Sequence, residues 1–456
     1  MIRHQNATAR SMPMTGKPRQ AGVSSLLPIA AALLAVLAAG APASSRAQAQ
    51  AQTAAPAAFA PAIVARNLVA SFRTAKESDP QYRAALSEKV VNETAALSAR
   101  LAYTPTLSYT NQPIDTDSTT RRTLNITQPL LDAGRYLTTR EGEPRTRLAD
   151  ATLIQREQDL AQRLLKSVTG IVRAREGLRT NENRISLLDE QARRAQRMFE
   201  LNEGTITDQR DTAVRREQAR ATQLGLVTRL RVAENQFNAI VGARPAPEAF
   251  RIADVPRRIP LDSVDTYLQG GQETNPLLVN ARQNERLAEI NGQRARAALL
   301  PTVSVLLQQS NSSGKETTYT GIVAAFPLNG QTVVQVNSAG AQAERARELR
   351  RDVEQKLQVD IERLRAQVDS GQQELAIRKD AILSAELAVQ ANIKSQQGGI
   401  RNSVDVLNAI QTLSDVRNEY AGTAATLAED YLNLLLQSAL DPTDALEKVQ
   451  QTIFAN

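Results

Sequence analysis

The chain has no cysteine and no tryptophan, and its only histidine, His4, lies in a segment that we expect to be removed. Without histidine or cysteine, the rest of the chain cannot build a zinc site of the usual type, a Ser-His-Asp triad or a cysteine nucleophile. Disulfides and a lipidated N-terminal cysteine are excluded for the same reason. Catalysis by carboxylates alone stays open, although no motif indicates it. We therefore predict no catalytic residue, no cofactor and no firm metal site.

Aromatic residues make up only 3% of the 456 residues, which is low for a protein with large globular cores. The apolar residues are mainly alanine, leucine and valine, set among glutamine, arginine and glutamate, a mixture typical of long, closely packed helices. Long apolar runs are also missing beyond the N-terminal segment, so no transmembrane helix is predicted. Any membrane-spanning part would have to consist of strands.

Residues 1–49 are predicted to form a signal peptide, followed by a linker at 50–65. A basic start precedes an uncharged apolar stretch, Leu26–Leu37, and Ala47-Gln48-Ala49 fits a small-x-small cleavage site. A retained anchor is the weaker alternative, because the stretch is shorter than the roughly 20 residues that span a membrane. Removing the five basic residues of this segment lowers the net charge from +7 to +2, which weakens any case for nucleic-acid binding.

An internal duplication with an offset of 196 residues is the most informative feature of the sequence. Asp79-Pro80 matches Asn275-Pro276, and Pro105-Thr106 matches Pro301-Thr302 at the same spacing. Aspartate and asparagine cap helices well, and proline suits the first helical position but ends a helix that reaches it. The duplication divides the chain into a first repeat at 66–244, a connecting segment at 245–272, a second repeat at 273–440 and a C-terminal tail at 441–456.

Each repeat is predicted to contain a helix, a β-hairpin and a pair of long antiparallel helices. Alternating residues place the hairpins at about 104–129 and 301–328, and each hairpin ends in a Pro-Leu pair followed by glycine. The long outgoing helices then extend from about Tyr136 to Asn202 and from Val334 to Gln397. Glycines end them, and the returning helices are predicted at 208–241 and 404–436.

The four predicted strands have the length needed to cross an outer membrane, about 9–11 residues when tilted. Four strands cannot close a barrel, and open edges in lipid leave backbone groups without partners. Several chains would therefore have to pool their strands, eight from two chains or twelve from three, and the sequence alone does not choose between them. Soluble hairpins packed on a helical bundle are the alternative; the duplicated placement on long helices favours the barrel.

These features together resemble the TolC family of outer-membrane efflux and secretion channels over essentially the whole mature chain. The resemblance is carried by the Asn275-Pro276 helix start, the Leu300-Pro301-Thr302 junction, the Pro-Leu-x-x-Gly strand exits and the glycine-marked helix tips. It implies a mainly α fold, in which a long α-helical coiled-coil tunnel in the periplasm joins a trimeric 12-stranded barrel in the outer membrane. It also implies a homotrimer that docks to a periplasmic adaptor protein and an inner-membrane RND or ABC exporter.

The segment from Gly399 to Ala409 resembles the periplasmic gate of this family. The resemblance implies gate roles for Arg401 and Asp405, with Asn408 in the place of a second aspartate and Gln396 in that of a tyrosine. The remaining residues that it implies are Thr207 and Asp208, which would hold the gate, and Gly204, Gly398 and Gly399, at the helix tips that would dock the adaptor.

Elementary electrostatics agrees with part of this interpretation. Three copies of Asp405 near a threefold axis would favour a bound cation, which would block the channel there. Arg401 could bridge to Asp208 and hold the tip shut. The plainer interpretation is that Asp208 and Asp405 stand in the first turns of helices, where any acid is favourable.

We expect a passive conduit that exports toxic small molecules such as drugs, dyes and detergents, proteins by type I secretion, or both. The alternative is a non-channel, adaptor-like coiled-coil protein of the periplasm, although an adaptor would usually carry one helical hairpin rather than two copies with strands. An enzyme is the third and weakest possibility, because histidine and cysteine are missing from the mature chain.

Overall fold

A computed structural model describes residues 67–114, 119–253, 257–312, 315–326 and 330–454. These residues all belong to the second of the two units into which the chain divides, 62–456. The predicted signal peptide at 1–49, the linker at 50–65 and the Pro327-Leu328 pair lie outside the described residues.

The same order of elements occurs twice along the chain, except that the first copy has one additional short helix, Ala133–Arg140. The first copy comprises α1 (Leu68–Ser78), α2 (Pro80–Arg100), β1 (Thr106–Ile114), β2 (Thr119–Leu131), α3 (Ala133–Arg140), α4 (Gly142–Glu200) and α5 (Ile206–Val241). The second comprises α6 (Val264–Thr274), α7 (Pro276–Ala297), β3 (Thr302–Ser312), β4 (Lys315–Ala325), α8 (Gly330–Gln397) and α9 (Ser403–Gln437), and α10 (Pro442–Ile453) follows it.

The two matched proline motifs begin α2 and α7. Asp79 accepts a hydrogen bond from the Tyr82 amide at 2.9 Å, and Asn275 accepts one from the Leu277 amide at 3.0 Å. Each side chain thus satisfies a backbone donor that the first helical turn leaves without a partner. Asp79 also binds Arg163 on α4, with an Oδ2 to Nη2 distance of 2.8 Å, so this cap is tied to the long helix as well.

The long helices α4 and α8 contain 59 and 68 residues, which corresponds to roughly 90 and 100 Å at 1.5 Å per residue. The first is shorter than predicted, because the helix expected from Tyr136 is divided into α3 and α4. Pro144 explains the division: it has no amide hydrogen to donate to the carbonyl of Arg140, where α3 ends. Glu141 fills the junction, almost fully buried, and pairs with Arg145 at 2.7 Å and Arg294 at 2.9 Å.

The four strands form one antiparallel sheet in the order β1-β2-β3-β4, so the hairpins of the two repeats lie side by side. One row across the sheet illustrates the register, with each residue opposite the next: Leu107, Ile126, Leu307 and Thr320. The first hairpin was predicted to end at Pro129, but β2 continues to Leu131. The pairing with β3 shifts between Pro129 and Leu131, as expected where proline removes a ladder donor.

The two faces of the sheet differ in polarity. Cross-strand partners share a face and successive residues alternate between faces, so the register assigns every position to one side. The apolar face carries Leu107, Tyr109, Leu124, Ile126, Val303, Val305, Leu307 and Ile322. On β1, β2 and β3 the polar face carries mainly Thr106, Ser108, Thr110, Asn125, Thr127, Thr302, Ser304 and Gln308. Such alternation is typical of strands with lipid on one side and water on the other.

The main apolar core joins helices of both repeats at mid-length. It includes Phe72 on α1, Leu160 and Leu164 on α4, Phe237 on α5 and Ile361 on α8, all fully buried. The connecting segment closes over this core, where the rings of Phe237 and Phe250 lie 5.7 Å apart. Among the described residues, none of the helices has the length and apolar character required for a membrane span.

Candidate periplasmic gate at the helix tips

Two helix-to-helix turns form the ends of the long hairpins, one in each repeat. In the first, α4 ends at Glu200 and the backbone turns at Asn202, whose φ is 56°. The glycine expected to break this helix, Gly204, does not have positive φ but approaches α4 closely. A Cβ on Gly204 would lie 3.0 Å from the Cβ of Met198, so the residue must be small.

The returning helix α5 begins with a capping box formed by Thr205 and Asp208. The Thr205 hydroxyl accepts a hydrogen bond from the Asp208 amide at 3.1 Å and donates to the Asp208 carboxylate at 2.6 Å. The Thr205 amide donates to the same carboxylate at 3.4 Å. Thr207, between them, is exposed.

The second turn follows Gln397, the last residue of α8. Gly399 has a φ of 70°, where a side chain would be strained, and the next amide, that of Ile400, donates to the Ser395 carbonyl at 2.9 Å. Asn402 then caps α9 by accepting a hydrogen bond from the Asp405 amide at 2.9 Å. Asp208 and Asp405 therefore occupy the same third position of their helices.

Three polar contacts join the two turns within one chain. The Ser403 hydroxyl donates a hydrogen bond to the Asp208 carboxylate. Behind it, Arg194 on α4 donates to Gln396 at 3.3 Å, and Arg215 on α5 donates to Asn408 at 3.1 Å. Apolar contacts among Leu188, Ala219 and Leu407 support them from the helix interior. The turns are therefore held together by side chains from both repeats.

Arg401 lies outside this set of contacts. Its guanidinium is 3.9 Å from the Asp405 carboxylate, and the two side chains are 54% and 39% exposed. In the described part of the chain no ion pair joins Arg401 to Asp208, so the expected bridge does not form within a single chain. Asp208 uses its carboxylate for Ser403 and Thr205 instead.

Hydrogen bonds to its charged form lower the pKa of Asp208 below the ordinary value of 3.8, the largest effect coming from Ser403 and the next from Thr205. Asp208 is therefore ionised at neutral pH and acts as the acceptor at the centre of the contact.

Sequence reasoning missed Ser403, Arg194 and Arg215, the partners of three predicted gate residues. Ser403 lies within the segment from Gly399 to Ala409 but was given no role, and the two arginines lie on helices that are rich in arginine. Their roles come from which helices pack together, which local sequence does not determine. Within the described ranges, no group of three or more acidic, histidine or cysteine residues is arranged to hold a metal ion.

A sequence model of the family described as outer membrane efflux protein matches residues 268–437. The alkaline protease secretion protein AprF of Pseudomonas aeruginosa is 26% identical over 78% of this chain and 80% of its own length. The proteases secretion protein PrtF of Dickeya chrysanthemi is 24% identical over 81% of this chain and 87% of its own length. The outer membrane protein TolC of Vibrio cholerae is 23% identical over 82% and 90%.

Solved structures show the same fold at lower identity. The outer-membrane channel OprN superposes with a TM-score of 0.72 at 14% identity, covering 86% of this chain and 98% of OprN. The outer membrane protein VceC of Vibrio cholerae superposes with a TM-score of 0.68 at 16% identity, covering 81% and 95%. The four-stranded sheet and the long helical hairpins therefore have direct counterparts in known channels.

The fold and its relatives define the class: an outer-membrane channel whose helices form a tunnel in the periplasm of a Gram-negative bacterium. The chain is similar over most of its length to the outer membrane factor channels TolC and AprF, and it is the outer-membrane component of an export system. This is a family of transport proteins rather than enzymes. Its members are homotrimeric and work with adaptors and inner-membrane exporters.

Proposed function

We propose that three copies of this chain form a passive duct with twelve strands in the outer membrane, and that a partner pump supplies the energy. The observation that carries the proposal is the sheet, with one apolar face, one polar face and two edge strands, β1 and β4. In lipid such edges must pair, and twelve strands from three chains would close them. The homotrimeric state of the family supports three chains over two.

The test is the state of the protein in membranes. We expect it in outer-membrane fractions as a trimer that dissociates on heating in detergent, and we expect purified trimers to conduct ions in planar bilayers. Recovery as a soluble periplasmic protein would contradict the proposal and favour the adaptor-like alternative.

We propose that the helix tips form a gate, in which the exposed Arg401 contacts a neighbouring copy while Ser403 and Asp208 hold each chain's two turns together. The half-exposed state of Arg401 supports a partner outside the chain. Arg401→Ser is expected to raise single-channel conductance, because one contact between copies is lost. The control is Lys356→Ser, which removes a positive charge from the exposed face of α8, far along the helix from the tip, where Lys356 pairs with Asp352. Unchanged conductance in Arg401→Ser would contradict this role.

We also propose that Asp405 forms an acidic ring at the tunnel axis that binds cations. Asp405→Ala should abolish block by divalent or trivalent cations added on the periplasmic side, because three like charges no longer meet. Asp211→Ala, which removes an exposed acid elsewhere on α5, should leave the block unchanged. Persistent block in Asp405→Ala would place the cation site elsewhere. The tips around Gly204, Gly398 and Gly399 are the proposed docking site for the adaptor.

For cargo, we propose polypeptides exported by type I secretion, with efflux of toxic small molecules as the second candidate. Similarity over most of the chain to two proteins named for protease secretion supports the first. Similarity to an outer membrane efflux protein of Brucella suis supports the second. Deleting the gene and measuring the secreted proteins together with drug, dye and detergent susceptibility separates the two. An unchanged secreted profile with raised susceptibility would favour efflux.

A further inference from the structure

The end of the sheet farthest from the helices carries two neighbouring arginines on opposite faces. Arg121 and Arg122 are consecutive residues of β2, and both are exposed. Arg122 lies opposite Asn111 and Asn311, in line with the apolar face. Arg121 lies opposite Gln112 and Ser312, on the polar face. The alternation of the strand therefore sends one cationic side chain to each side of the sheet.

A second cation shares the polar face with Arg121. Lys315, the first residue of β4, lies opposite Ser312, which in turn lies opposite Arg121. The acidic neighbour of Lys315, Glu316, belongs to the apolar side, where it accepts a hydrogen bond from Gln309. Arg121 and Lys315 are therefore the charged residues in this last row of the polar face, among the residues that the structure describes, and both are positive.

The position of these residues in a channel follows from the course of the chain. Helices leave the sheet at Thr106, Leu131 and Thr302, so the opposite end, with Arg121 and Lys315, is the outer mouth. The apolar face turns to lipid and the polar face to the lumen, as in other transmembrane barrels. This step rests on the proposed duct. Three chains would then place three copies each of Arg121 and Lys315 around the mouth.

We propose that Arg121 and Lys315 form a cationic ring at the outer mouth that favours the passage of anionic solutes and anionic segments of cargo. A ring of like charges in a low-dielectric wall raises the local concentration of the opposite ion and sets the ion selectivity of a pore. The ligands are carboxylates, phosphates and small anions. Asp115 and Asp117, nearby in the sequence, lie outside the described residues, so the effect is defined as a change from the wild-type selectivity.

The experiment measures the reversal potential of purified trimers in planar bilayers under a potassium chloride gradient. The double variant Arg121→Gln, Lys315→Gln should shift the potential toward cation selectivity. The matched control is Arg122→Gln, which removes the same charge one residue away on the lipid side and should leave the potential unchanged. The shift should shrink as salt rises from about 0.1 M to 1 M, because the screening length falls from roughly 10 Å to 3 Å.

The outcomes separate this inference from the duct on which it rests. No shift in the double variant, or an equal shift in Arg122→Gln, overturns the cationic ring. Failure of the wild-type protein to conduct at all contradicts the duct itself. Heat-sensitive trimers in each variant show that the substitutions leave the assembly intact.

Discussion

Asp208 and Asp405 occupy equivalent positions at the starts of their helices but make different contacts. Each is the third residue of a returning helix, and each helix begins with a polar cap. An acid is favourable there on any helix, so the position does not reveal a role. The contacts distinguish the two residues. Asp208 accepts hydrogen bonds from Ser403 and Thr205, whereas Asp405 is partly exposed beside Arg401. The two repeats therefore differ in the contacts that they make at their tips.

Ser403→Ala tests the bond that joins the two turns of a chain. Because the variant leaves the Asp208 carboxylate with Thr205 alone, the turns should separate more readily and single-channel conductance should rise, as it should in Asp208→Ala. Ser384→Ala is the control, since the Ser384 hydroxyl donates to the Asp380 carbonyl of its own helix. Wild-type conductance in both tip variants would rule out this contact as a restraint.

The same bond predicts a dependence on pH. The pKa of Asp208 is lowered from 3.8, so its stabilising contribution is complete above 3.8 and is lost as pH falls through the lowered pKa. Conductance should therefore rise at acid pH, below 3.8. In Ser403→Ala the largest cause of the lowered pKa is absent, so the remaining acid response should move upward toward 3.8. A pH response identical in the two proteins would show that another group controls it.

At the scale of elements, the sequence predicted those features that depend on residues close together in the chain. The starts of α2 and α7, the four strands and the two turns follow from proline, caps and alternation. The short helices α1 and α6 were missed, because their stability comes from burial of residues such as Phe72 in the core. The α3–α4 division was missed, although Pro144 lies near the start of the helix predicted from Tyr136. The tip contacts join residues about 200 positions apart, so no local pattern could specify them.

Gly142, at the start of α4, provides a test of the α3–α4 junction. A Cβ there would lie 2.5 Å from the Cγ of Arg100 and 3.1 Å from the Ala96 carbonyl oxygen, so Gly142→Ala should cost about 1–3 kcal/mol through overpacking. Gly340→Ala is the matched control, because the new methyl group would enter open space. It should stabilise α8 by roughly 0.5–1 kcal/mol. Thermal unfolding followed by circular dichroism compares them, and equal effects would contradict the tight junction.

At the scale of the whole molecule, the polarity of the sheet determines the environment in which the protein is stable. Its apolar face is formed mainly by residues of β1, β2 and β3 together with Ile322 of β4, and the face opposite is mainly polar on the same three strands. Neither a soluble bundle nor a single chain in lipid satisfies both faces and both edges. Assembly and membrane insertion therefore depend on the same surface.

Leu306 and Leu307 test the assignment of the two faces, because they are consecutive residues of β3 on opposite sides. Leu307→Arg should reduce the amount of trimer in the outer membrane, since arginine on a lipid face near the bilayer midplane costs about 2–4 kcal/mol. Leu306→Arg should be tolerated, because its side chain points to water in the lumen. Trimer yield on unheated gels gives the comparison, and the reverse ranking would exchange the two faces.

The edge strands β1 and β4 also have a consequence for the life of the newly made subunit. Until copies meet, each chain presents two strand edges to any other strand, a condition that promotes aggregation. The lifetime of a lone subunit is then set by how often it encounters others, so assembly should slow steeply when expression is low. A copy able to pair through only one edge would leave its neighbours in an open, incomplete barrel. A minority of such copies would therefore prevent normal copies from forming channels.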